Sequence, residues 1–142
     1  MAVQPQSLSE PRPSVPVNVW ILPLIAAWLV PGAGHFLLKK SGRGALIFLS
    51  VTLMFLFGLF MRGVMFTPEG GADYLTSLIN YGGFVCNLAA GALYLLTSMF
   101  GYSQPDAPGA VHDYGTKFLV TAGLLNILAM VDAWEIGSGK KD

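Results

Sequence analysis

Asn87 and Asn126 are the two strongly polar side chains set deep inside long apolar stretches, and Arg62 and Asp132 stand where two such stretches end. An amide without a partner in hydrocarbon is costly, so both asparagines are expected to hydrogen-bond between helices, with a substrate or ion contact as the sharper alternative. Asp132 would sit at the negative end of a helix macrodipole, where a carboxylate needs water or a cation. Arg62 is expected on the same membrane face and is the predicted partner in an ion pair, with a proton relay as the rival role. His35, His112 and Asp113 are of metal-ligand type, but no two of the three have the close spacing of a ligand pair except the adjacent His112 and Asp113, so no metal is expected. No serine, threonine or cysteine has a base at a motif spacing. The glycines of "PGAG" follow no strand and lack the Lys-Ser/Thr of a phosphate loop. The expectation is a protein that is not an enzyme and holds no cofactor.

The elements that position these residues follow from composition. Of 142 residues, 54% are hydrophobic and 11% charged, and mean hydropathy is +0.59, well outside soluble usage. Eight Lys+Arg balance eight Asp+Glu, leaving no basic field for nucleic acid and no polybasic run for anionic lipid. Cys86, the single cysteine, lies in an apolar block and can form no intrachain disulfide. Residues 1–18 are proline-rich and read as a disordered tail. Only Arg12 precedes the first apolar run, so a cleaved signal peptide is not expected.

Gly44 to Met61 and Leu75 to Phe100 carry no charge and exceed or approach the ~20 residues that cross ~30 Å of hydrocarbon. A further apolar block, Phe118 to Val131, extends to the same length if Lys117 snorkels. Val19 to Val30 alone covers only ~18 Å as a helix, but a helix continued through Pro31-Gly32-Ala33-Gly34 to Leu38 covers ~30 Å. A re-entrant segment is the rival. The full span is preferred because non-helical backbone in lipid must find other partners. The expected fold is an all-α integral membrane protein, a small bundle of about four transmembrane helices (19–38, 44–62, 74–100, 115–134) within a single domain 19–136, the first helix kinked at Pro31–Gly34, with a tail at 137–142. Lysines and arginines then divide four against four, and the crowding of Lys39, Lys40 and Arg43 in one short turn puts that turn in the cytosol and both termini outside.

Small residues recur at helical spacing in "GGFVCNLAAGA": Gly82, Cys86 and Ala90 on one line, Gly83, Asn87 and Gly91 on the next. Ala122, Asn126, Ala129 and Ala133 repeat the pattern in the last helix, and these faces are expected to pack closely.

"PGAGHFLLKKSGRG", with Pro31, Gly32, Gly34, His35, Phe36, Arg43 and Gly44, resembles the turn region of the two-transmembrane-helix domain family, and "LNILAMVDAWEI" resembles that domain's aspartate-bearing end. Bacterial relatives of unknown function share this layout. The resemblance implies a membrane topology with the turn in the cytosol rather than a chemistry. The chain departs from it in lacking the Arg and Tyr of the family's aromatic core and in inserting the helix ending at Phe100. The expected function is a non-catalytic accessory or scaffold subunit in the cell (inner) membrane, multi-pass, contacting the lipid bilayer and either a membrane-protein partner or further copies of itself, with no nucleic acid. The alternative is a small transporter or channel acting as an oligomer, built around Asn87, Asn126 and Asp132.

Overall fold

A computed structural model describes residues 16–102 and 109–141, and every regular element among them is a helix. In chain order these are α1 (Val17–Leu29), α2 (Ala33–Leu37), α3 (Ser41–Phe60), α4 (Tyr74–Ala89), α5 (Ala92–Met99) and α6 (Ala110–Gly137). Most of the expected N-terminal tail, residues 1–15, lies outside the described residues.

Two helices, α3 with 20 residues and α6 with 28, are long and apolar enough to cross a membrane. Their buried positions form single stripes. On α3 the stripe is Gly44, Val51, Phe55 and Gly58; on α6 it runs through Gly115, Leu119, Ala122, Gly123, Asn126, Ala129, Ala133 and Gly137. Glycine and alanine dominate the second stripe, so neighbouring backbones approach closely. The two helices are antiparallel: Gly58 and Gly63 abut Gly115, while Leu46 to Val51 lie beside Leu125 to Asp132. Val51, Phe55, Leu119, Ala90 and Ala122 form the apolar core between them.

The remaining helices do not add two more spans. Pro31 has no N–H with which to continue α1, and Gly32 takes φ +80, so the chain turns back instead of kinking onward. α2 then packs against the helix it came from: a Cβ on Gly34 would sit 2.4 Å from the Pro23 carbonyl oxygen. Trp20 and Leu38 both lie beside Gly137, so α1 starts and α2 finishes at the same end of the molecule. The expected kinked helix 19–38 is therefore a re-entrant hairpin.

The expected helix 74–100 is broken as well. It bends by 104° between α4 and α5 at Ala90–Gly91, where Gly91 has φ +63. Phe66, just after α3, packs on Gly83 of α4. The ring of Tyr94 in α5 stands edge-on to Phe84 in α4, and the Tyr102 hydroxyl donates to the Gly63 carbonyl at 2.9 Å. This pair thus enters and leaves at the end that holds Gly63 and Gly115. The result is two long antiparallel helices with two helical hairpins inserted from opposite ends. The order short helix, short helix, long helix occurs twice in succession with inverted direction.

Candidate functional site

The two hairpins meet at Asn126, near the middle of α6. The last carbonyls of any helix lack partners within it, and here two helix ends converge. Asn126 Nδ2 donates to the Ala89 carbonyl at 2.8 Å and the Ala27 carbonyl at 3.2 Å, with the Trp28 carbonyl at 3.4 Å. Trp28 Nε1 donates in turn to the Leu88 carbonyl at 3.1 Å. One fully buried amide thereby joins the ends of α1 and α4 to α6. Asn87 is equally buried, yet neither of its amide atoms has a protein partner among the described residues.

The small residues of α4 are divided by this arrangement. Gly91 lies where a Cβ would come within 1.9 Å of the Trp28 carbonyl oxygen, and the Cys86 carbonyl oxygen occupies the space beside Gly123. Gly83 accepts the Phe66 ring, whereas Gly82 is exposed with nothing within 4 Å of a built Cβ. Of the first expected line only Gly82 turns outward, while Cys86 lies against Gly123 and Ala90 is in the core. Ala129 and Ala133 are buried on α6.

A second polar cluster lies at the end holding α2. His35, fully buried, is carried on the returning arm of the first hairpin, and its Nε2–H donates to Asp132 Oδ2 at 2.9 Å. The other oxygen of Asp132 accepts from Lys141 Nζ. The segment after α6 curls back to allow this, with Lys140 N–H and Lys141 N–H donating to the Glu135 carbonyl. A partly exposed carboxylate at the unfavourable end of α6 is thus met by an imidazole and an ammonium. Gly44 packs against Gly32 and the Phe36 ring, which seats the start of α3 on the hairpin; buried Pro31 and Gly34 shape its tip, and Arg43 is exposed in the first turn of α3.

Asp132 does not reach Arg62. Arg62 adjoins Gly63, which packs on Gly115, and Asp132 lies 17 residues further along α6, or ~25 Å. The expected pairing assumed that residues 74–100 cross once; because that segment returns, Asp132 emerges at the opposite end. The same change separates His35 from His112 and Asp113, which lie in the first turn of α6. The described residues contain no group of three His, Cys, Asp or Glu side chains able to hold a metal. The His35–Asp132 contact joins two stretches far apart in the chain, "PGAGHFLLKKSGRG" and "LNILAMVDAWEI".

Residues 22–142 match a family of unknown function (DUF6677). No curated protein and no solved structure matches the chain.

Proposed function

The chain belongs to the DUF6677 family of unknown function, and we propose that it is a non-catalytic accessory or scaffold subunit of the cell (inner) membrane. The observation that carries this reading is Asn126, whose amide N–H groups are spent on the chain's own helix ends, while its Oδ1 has no partner among the described residues. Outward faces meanwhile carry large apolar side chains, Phe57 and Phe60 on α3 and Leu128 and Val131 on α6, suited to lipid or to another membrane protein. In-membrane cross-linking followed by affinity isolation should recover one stoichiometric partner or a second copy. Recovery of neither, alongside ion flux from the purified protein in liposomes, would overturn the scaffold reading.

The inverted repeat of broken helices favours a second reading, a small transporter or channel acting as an oligomer, because broken helices meeting at depth are the usual frame of a membrane substrate site. Asn87, without a protein partner, is the side chain that reading would use. Flux abolished by Asn87→Leu in a stably folded protein would establish it. Two long helices with an aspartate-bearing end set against the His35 turn also support the likeness to the two-transmembrane-helix domain family.

The hairpins support a different orientation from the one expected of four spans. Lys39, Lys40, Arg43, Lys140 and Lys141 lie at one end, against Arg62 and Lys117 at the other, an imbalance that supports a cytosolic location for the first end and for the segments leading to both termini. In a Cys86→Ser background, single cysteines at Ser41 and Ser138 should resist an impermeant maleimide in intact cells, and one at Gly70 should react. The opposite pattern reverses the orientation.

A further inference from the structure

We propose that the end of the molecule bearing α2 and the C-terminal segment binds an anionic phospholipid, its headgroup held by a discontinuous collar of cations and one acyl chain lying in the groove between α3 and α6. The sequence contains no polybasic run, but the fold makes a basic surface from two segments far apart in the chain. The first hairpin delivers Lys39 and Lys40 with Arg43 just beyond, and the curl after α6 delivers Lys140 and Lys141. Leu38 beside Gly137, together with the His35–Asp132–Lys141 contacts, brings the two segments to one place. Among the described residues, five cations there face two carboxylates, Asp132 and Glu135, and Asp132 is already engaged by His35 and Lys141. The opposite end has the reverse balance among the described residues: Arg62 and Lys117 against Glu69, Asp73 and Asp113.

Lys39 and Lys40 are exposed. Lys140 Nζ sits 3.9 Å above the Trp134 ring, which places an ammonium at the level where tryptophan marks a membrane boundary. Beneath the collar, a groove of about 340 Å³ walled by Leu46, Ile47, Leu125 and Leu128 runs to Asp132. Its apolar walls suit an acyl chain, and the basic rim above suits a phosphodiester. The inference rests on the fold alone and stands whether the protein is a scaffold or a transporter, and in either orientation.

The test uses the full chain in a neutral maltoside detergent, with dioleoylphosphatidylglycerol, dioleoylphosphatidylcholine and glycerol 3-phosphate added separately and bound lipid counted by native mass spectrometry. Phosphatidylglycerol should be retained at least tenfold over phosphatidylcholine, more weakly at high salt, and the soluble phosphate should neither bind nor compete at the same concentration. Lys39→Ser/Lys40→Ser/Lys140→Ser should remove that preference, whereas Arg62→Ser/Lys117→Ser should keep it. Equal retention of the two lipids, equal binding of glycerol 3-phosphate, or a preference that survives the collar variant would each overturn the proposal. Should the triple variant fail to fold, photo-cross-linking of wild-type protein with a phosphatidylglycerol analogue decides: labelled peptides should contain residues 39–50 or 125–141, and labelling confined to 62–73 and 110–117 refutes the site.

Discussion

Replacing Asn126 by alanine removes the only donor shared by the two helix ends among the described residues. The amide makes two well-formed bonds, at 2.8 and 3.2 Å, and a weaker third at 3.4 Å. Side-chain hydrogen bonds between membrane helices contribute from ~0.6 to ~1.7 kcal/mol each. Carbonyls left without a donor in a buried site add their own penalty, on the order of 1 kcal/mol or more. The expected loss is therefore about 2–4 kcal/mol, which lowers an unfolding midpoint by on the order of 10 °C for a chain of this size. Asn126→Asp should be worse, because an ionised carboxylate sets acceptors against acceptors and a protonated one offers a single O–H to two or three carbonyls. Asn87→Leu is the internal control: its amide atoms have no protein partner, so an apolar replacement of similar size should be neutral or stabilising. Thermal unfolding of the detergent-solubilised protein, followed by tryptophan fluorescence, reads all three. A midpoint for Asn126→Ala within about 1 °C of wild type, or a larger loss for Asn87→Leu than for Asn126→Ala, would refute the reasoning.

Gly91→Ala combines a left-handed backbone with a collision against the Trp28 carbonyl oxygen and should cost ~3 kcal/mol or more, whereas Gly82→Ala, facing open space on a helix, should gain ~0.5–1 kcal/mol; similar midpoints for the two would dissolve the hairpin contact. A double-mutant cycle on His35→Ala and Asp132→Asn should yield a coupling of ~1–3 kcal/mol, and the cycle on Arg62→Ala and Asp132→Asn should yield about zero; equal couplings would contradict the antiparallel packing of α3 and α6. Asp73 caps α4, accepting from the Thr76 hydroxyl and the Thr76 and Leu75 N–H groups, and these bonds hold its carboxyl below the usual value of 3.8. A depressed carboxyl contributes its stability fully above that value and loses it as the pH falls through the folded-state pKa, so the wild type should lose stability on acidification more steeply than Asp73→Asn, and parallel pH profiles would remove the cap.

The two helices long and apolar enough to cross a membrane were legible in the sequence, because an uncharged run is a local property that can be compared directly with the thickness of hydrocarbon. The tight apposition around Asn126 was partly legible too, in the alanines and glycines spaced along α6. What run length cannot distinguish is a helix that continues from one that returns. Val19–Leu38 and Tyr74–Phe100 are each long enough to cross, and each turns back at a glycine of positive φ whose neighbouring contacts come from distant residues: Gly32 against Gly44 and Phe48, Gly91 against Trp28. Those contacts exist only once the hairpins are inserted beside α3 and α6, where the Asn126 amide can satisfy the carbonyls that a broken helix leaves open. The returns in turn decide which groups share an end of the molecule. A segment that comes back to its starting face changes the side of everything after it, which is why Asp132 meets His35 and Lys141 and not Arg62, and why lysines scattered along the chain assemble into one basic surface.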